Sequence, residues 1–239
     1  MNRGIFFDRD GVLMKPVLHS KTHSYGAAWK DKVDGFTSNP SLMKKGGVTD
    51  YEKFAKEVLS IIGDKPISFE VLSDDLNEME RQACKISSWG KNIYVKIPIT
   101  NTQGISTAPI IKKLSEDGIK LNITAILTYP QVAIAYSALS PRTPAIISIF
   151  AGRIADTGID PSSLIKSAIY TIVDKPNIQL LWTSTREIFN IVQAKNYGCD
   201  IITVTPEILK KKVILGKDLT ELSLETVKQF YEDAKGLIL

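Results

Sequence analysis

Short apolar, β-branched runs alternate with longer amphipathic segments along almost the whole chain. The runs at residues 4–8, 35–39, 67–71, 93–98, 121–126, 145–151, 179–184 and 201–205 have the length and composition of strands, and their spacing is that of repeated βα units. Between them the apolar positions switch to a helical period. Tyr51, Phe54, Val58 and Ile61 fall at three- and four-residue intervals, which places them on one buried stripe of a helix over 50–62. Residues 75–89, 107–117, 131–139, 161–173, 185–197 and 206–213 behave similarly, and Gly63, Gly90, Gly118 and Gly198 stand where helix ends favour a left-handed residue. A last amphipathic segment covers 223–235. Eight strands with alternating helices predict an α/β fold, a closed (β/α)8 TIM barrel, with an open doubly wound sheet as the alternative. No linker or low-complexity tract divides the chain, so residues 1–239 are expected to form a single domain, with 223–239 as C-terminal helix and tail. One segment breaks the pattern. Residues 9–32 should hold the first barrel helix, yet only 25–32 looks helical, which predicts an atypical first βα connection with an extended loop.

Composition narrows the class without naming a partner. The chain has 239 residues, 44% hydrophobic and 23% charged, with a net charge of +4, values of an ordinary globular protein. Its basic residues are scattered apart from Lys210-Lys211-Lys212, so nucleic acid is not an expected partner. No apolar run approaches the ~18 residues of a membrane span, and Asp8, Arg9 and Asp10 interrupt any signal-like segment. Cys84 and Cys199 lie far apart and form no metal-ligand pattern, which fits a reducing, cytoplasmic location.

The stretch Ile93-Tyr-Val-Lys-Ile-Pro-Ile-Thr100 carries the first chemical signal. Burying the Lys96 ammonium without a partner is strongly unfavourable. It must lose its proton, pair with a carboxylate, or snorkel to water from an edge strand. A neutral amine there is the starting condition for Schiff-base chemistry. In a barrel the functional side chains sit at the C-terminal strand ends, and those positions hold Asp8, Thr37, Asn39, Glu70, Lys96, Asn122, Thr124, Ser148 and Ser184. A lone strand-end Asp or Ser is an ordinary cap or turn former. Seven strands each delivering such a side chain to one rim predict an active site. Asp8 and Glu70 are the rim carboxylates able to shuttle protons for a lysine nucleophile. Arg153 and Arg186, with Ser148 and Ser184, suit a phosphate, whose oxygens the guanidinium fork matches.

Those same residues carry a family resemblance. Val33-Asp-Gly-Phe-Thr-Ser-Asn-Pro-Ser-Leu42, Ile67-Ser-Phe-Glu-Val71, Tyr94-Val-Lys-Ile-Pro-Ile-Thr100, Leu121-Asn-Ile-Thr124, Ile147-Ser-Ile-Phe-Ala-Gly-Arg-Ile154 and Gly198-Cys-Asp-Ile-Ile-Thr-Val-Thr-Pro206 resemble the transaldolase family of class I Schiff-base enzymes. The resemblance spans residues 33–239. It implies that Lys96 forms the Schiff base, that Asp8 moves the proton of the substrate C4 hydroxyl, and that Glu70 and Thr124 hold a catalytic water. It also implies that Asn39 and Asn122 bind substrate hydroxyls, that Thr37 matches the family's second-strand threonine, and that Ser148, Arg153, Ser184 and Arg186 bind phosphate. The fructose 6-phosphate aldolase branch typically has glutamine at the place of Glu70 and tyrosine at that of Phe150, so both residues resemble true transaldolases. The implied reaction transfers a dihydroxyacetone unit from fructose 6-phosphate or sedoheptulose 7-phosphate to an aldose phosphate, with no metal or organic cofactor. Sugar phosphates are then the substrates, the pentose phosphate pathway is the setting, and a homo-oligomer, a pentamer or decamer built through the C-terminal helix, is the expected assembly.

Other readings compete at the N-terminus. Phe6-Phe-Asp-Arg-Asp-Gly-Val-Leu13 resembles the nucleophile motif of haloacid dehalogenase-type, Mg2+-dependent phosphatases. That chemistry needs a downstream acidic pair, and Asp74-Asp75 is the adjacent one available. The plain alternative is a strand-end aspartate followed by an Asp-Gly turn. An aldolase-type lyase and a catalytically idle barrel are the remaining alternatives.

Overall fold

The computed structural model describes residues 4–8 and 33–237. Its strands are β1 (Gly4–Asp8), β2 (Gly35–Thr37), β3 (Ile67–Glu70), β4 (Ile93–Pro98), β5 (Leu121–Ile126), β6 (Ala145–Ile149), β7 (Ile178–Trp182) and β8 (Ile201–Val204). They form a closed barrel in sequence order. Every neighbouring pair is parallel, and β1 closes on β8 with Ile5 beside Ile202. The open sheet is thereby excluded.

The helices are α1 (Pro40–Lys45), α2 (Tyr51–Ile62), α3 (Leu76–Ser87), α4 (Ala108–Glu116), α5 (Tyr129–Ala138), α6 (Ala151–Ala155), α7 (Ser162–Ile172), α8 (Phe189–Tyr197), α9 (Pro206–Lys210) and α10 (Leu219–Asp233). Local chemistry fixes their ends. Asp50 caps α2 by accepting from Lys53 N at 3.0 Å, and Gly63 ends it at φ +66°, a conformation that glycine takes without steric cost. The helix expected at 185 starts instead at Phe189, because Ser184 turns the chain at φ +65° and the next residues line a cavity. The C-terminal helix starts earlier than 223, where Asp218 accepts from Thr220 N and Glu221 N. The strand expected over 145–151 stops at Ile149, and Ala151 opens α6. Residues 9–32 lie outside the described residues.

Alternation along the strands separates two environments. Val95 and Ile97 face outward into the main core, which also takes in residues of the surrounding helices. Tyr94, Ile146, Leu181 and Ile201 pack together as a separate cluster, the apolar plug of the barrel interior. Two residues further along the same strands, the inward side chain is Lys96, Ser148, Thr183 or Thr203. The interior thus turns from apolar to polar toward the C-terminal strand ends.

Candidate active site

A cavity of about 570 Å³ opens at that polar end. Its lining includes Thr37, Asn39, Glu70, Lys96, Asn122, Thr124, Ser148, Phe150, Arg153, Ser184 and Arg186, so one pocket gathers every expected site residue but Asp8. Asp8 ends β1 in register with Thr37; its side chain lies outside the described residues.

Lys96 lies at the deep end, 6% exposed. Its Nζ donates to Ser38 O at 3.0 Å and stands 3.1 Å from Glu70 Oε2. The cost of burial is met by a carboxylate and a carbonyl, not by snorkelling. Register explains the meeting, since Glu70 pairs with Lys96 across β3 and β4. Next around the barrel, Asn122 Nδ2 donates to Ser68 Oγ at 3.0 Å, and Ser148 Oγ donates to Asn122 Oδ1 at 2.6 Å. The Ser148 hydroxyl thus links to the Asn122 amide, and it lines the same cavity as Arg153, Ser184 and Arg186.

Thr124 is different. Its Oγ1 is buried without a hydrogen-bond partner among the described residues, and a buried hydroxyl in that state marks a place for water or ligand. The backbone aims it there. The register of β5 shifts between Ile123 and Ile126, and Ala125 takes φ +61°, as at bulges that redirect a side chain beside a site.

The opposite wall is built by α6 and the turn after β7. The Arg153 guanidinium lies 5.1 Å from the centre of the Phe150 ring, a cation–π contact. Arg186 gives Nε to Asp156 Oδ1 at 3.1 Å and Nη2 to Asp156 Oδ2. Gly152 lets these pieces meet, because a Cβ there would lie 1.5 Å from Ser184 O.

Several lining or supporting residues escape the sequence reading. Thr203 and Thr205 bring β8 to the cavity, and Thr203 Oγ1 donates to Thr183 Oγ1 at 3.0 Å. Ser68 lies two residues before Glu70 on the same inward face, a step that strand alternation could have supplied. Tyr51, whose hydroxyl donates to Glu70 O at 3.0 Å, comes from a helix, and no strand pattern points to it.

Residues 25–238 match the family described as Transaldolase/Fructose-6-phosphate aldolase. The chain belongs to this family. It is similar to a "Probable transaldolase" of Streptococcus equi subsp. zooepidemicus, 36% identical over 84% of this chain and 87% of that one. A "Probable transaldolase" of Thermoplasma volcanium is 36% identical over 86% and 91%. Among solved structures, KGPDC from Streptococcus mutans superposes with a TM-score of 0.57 at 14% identity, covering 89% of this chain and 92% of that one. At that identity the likeness concerns the fold alone. Together with the family match, the relatives make this an enzyme of the transaldolase type.

The resemblance of residues 6–13 to haloacid dehalogenase-type phosphatases is not supported. The transaldolase-family match starts at residue 25, and the acidic pair that a phosphatase needs is committed elsewhere. Asp74 accepts from Thr102 N at 2.7 Å and Thr102 Oγ1 at 2.6 Å, bonds that hold its carboxyl below the usual range. Asp75 caps α3 by accepting from Glu78 N at 2.9 Å.

Proposed function

We propose that this transaldolase works through an imine at Lys96, moving a dihydroxyacetone unit from fructose 6-phosphate or sedoheptulose 7-phosphate to an aldose phosphate. The observation that carries the reading is the buried Lys96 ammonium held against Glu70 and facing a polar cavity. Glu70 is within reach to take the ammonium proton, freeing the nitrogen lone pair for the ketose C2 carbonyl. The carbonyl oxygen picks up protons and departs as water, leaving an iminium. Loss of the C4 hydroxyl proton, to Asp8 by the family resemblance, then breaks the C3–C4 bond. An aldose phosphate leaves, and the bond's electron pair settles in the enamine on Lys96. The enamine attacks the acceptor aldehyde, and water releases the new ketose.

The remaining residues divide around this sequence. The Thr124 hydroxyl, buried and unpartnered among the described residues, suits the water that leaves and returns. Asn39 and Asn122 suit the substrate hydroxyls, and Thr37 lines the same side. Arg153, Ser184 and Arg186 suit the phosphate; Asp156 engages Nε and Nη2 of Arg186 and leaves Nη1 for an anion. Phe150 brings no hydroxyl to protonate the enamine, which favours transfer over release. The setting proposed is the pentose phosphate pathway in the cytoplasm, and no described helix is long and apolar enough to cross a membrane. The assembly proposed is a homo-oligomer, supported by the exposed apolar side chains of α10.

The deciding experiment incubates the protein with fructose 6-phosphate, reduces with borohydride and locates the adduct by peptide mass spectrometry. A dihydroxyacetone-derived mass on Lys96 is expected, and an unmodified Lys96 overturns the reading. Free dihydroxyacetone formed without an acceptor aldehyde would place the enzyme in the aldolase branch.

A further inference from the structure

Glu70 ends β3 where the neighbouring strand has already left the sheet. The ladder between β2 and β3 runs from Phe36 N donating to Pro66 O at 2.9 Å to Ser38 N donating to Ser68 O at 3.0 Å. The next rung of a parallel ladder falls two residues on, from residue 40 to Glu70 O. Residue 40 is proline, which has no N–H to give, and it opens α1. The Tyr51 hydroxyl supplies the missing rung, donating to Glu70 O at 3.0 Å.

That hydroxyl is held firmly. Tyr51 stands in the first turn of α2, and its ring packs edge-on against Phe69 at 5.9 Å and Trp89 at 5.4 Å. Burial, and then the charge of Glu70, keep the phenol proton bound far above the ordinary range, while Ser38 is a second hydrogen-bond neighbour. Tyr51 is therefore a constant donor and not a proton shuttle. On the other side of the strand end, Val71 N donates to Lys96 O at 3.1 Å.

We infer that Tyr51 is a positioning residue for the Lys96–Glu70 pair, replacing the rung that Pro40 cannot form and so setting where the Glu70 carboxylate meets Lys96 Nζ. The inference rests on Lys96 being the imine-forming residue. Both partners of the ammonium, Ser38 O and Glu70 Oε2, belong to residues that neighbour the Tyr51 hydroxyl. Removing it leaves a carbonyl unpaired and lets the end of β3 relax. The proton-transfer geometry then loosens, while the arginines and asparagines that would hold substrate keep their places.

The test compares the full-length protein with Tyr51→Phe, which keeps the ring, and Trp89→Phe, which disturbs the same aromatic cluster without touching the hydroxyl. Tyr51→Phe is expected to slow borohydride trapping at Lys96 and to lower kcat, each about tenfold, with KM within about twofold of the parent. Trp89→Phe is expected to lower Tm, as Tyr51→Phe does, while leaving kcat and trapping rate unchanged. Equal trapping rates in Tyr51→Phe and the parent overturn the inference. So does a loss in Trp89→Phe that matches Tyr51→Phe, since cluster packing would then explain both. An unlabelled Lys96 in the parent overturns the imine reading itself, and the inference falls with it.

Discussion

Lys96 and Glu70 stand in register on neighbouring parallel strands, with Nζ 3.1 Å from Oε2 and side-chain exposures of 8% and 18%. A pair this deep adds little net stability, because desolvating both charges roughly cancels their attraction. Glu70→Met leaves an unpaired buried ammonium and is expected to destabilise by about 3 kcal/mol. Lys96→Met/Glu70→Met removes both charges and is expected to recover most of that loss, or to exceed the parent by about 1 kcal/mol. Urea unfolding of the parent, both single variants and the double variant closes the cycle. Transfer activity should be absent in every variant lacking Lys96. A double variant less stable than either single one would contradict this account.

Gly152 and Ser184 make a second testable contact. A Cβ at residue 152 would lie 1.5 Å from Ser184 O, so Gly152→Ala must push α6 away from the turn after β7. A loss of about 2 kcal/mol is expected, with KM for fructose 6-phosphate raised because Arg153 and Ser184 separate. Ser184 itself sits at φ +65°, where a side chain costs about 1 kcal/mol. Ser184→Gly should therefore gain up to about 1 kcal/mol while weakening phosphate recognition. Thermal unfolding together with KM for phosphorylated and unphosphorylated ketoses separates the two effects.

How legible the site is depends on which periodicity carries each residue. Lys96, Glu70, Asn122 and Thr124 announce themselves because a polar side chain in an apolar strand is conspicuous and the barrel rule says where strand ends meet. The eighth strand is silent by the same test, since Thr203 and Thr205 look like ordinary β-branched strand residues. Tyr51 falls on the α2 stripe, and nothing in a helical period reveals that its hydroxyl completes a sheet. The short helices α1 and α6 span too few turns to show a period, and the apolar start of the second continues the strand pattern before it. Asp156 was invisible because its partner Arg186 is distant in sequence, and only the closed barrel brings them together.

Acid should weaken the joint between α2 and α3. Glu52, on the first turn of α2, pairs with Lys56 at 2.8 Å and with Lys85 of α3 at 2.9 Å. Hydrogen bonds from Lys56 and then Lys85 hold its carboxyl down at about 2, against an ordinary 4.5. The folded value lies below the unfolded one, so the contribution is complete above about 4.5 and is lost as pH falls toward about 2. Glu78, held near 2 by Arg81 and then Gln82, acts in the same direction. Tm should fall between pH 5 and pH 2, and Glu52→Gln should flatten part of that slope while lowering Tm at pH 7. Because the group is partly exposed at the surface, added salt should shrink the difference. An unchanged slope in Glu52→Gln would rule out this origin.

The C-terminal helix bears on the proposed assembly. No residue of α10 is buried, and Leu219, Leu224, Val227, Phe230 and Tyr231 are 79%, 54%, 59%, 66% and 69% exposed. A helix of this length is marginal in water without a packing partner, and such a run of exposed apolar side chains marks an interaction surface. If a second copy covers it, light scattering after size exclusion should give the parent a mass several times that of one chain. Val227→Glu/Phe230→Glu should shift that mass to a single chain and reduce helical circular dichroism, because the released helix frays. Borohydride trapping at Lys96 should persist in the dissociated protein, since every described residue of the cavity comes from one barrel. A parent that runs as a monomer at micromolar concentration would remove the self-association reading and leave α10 to some other partner.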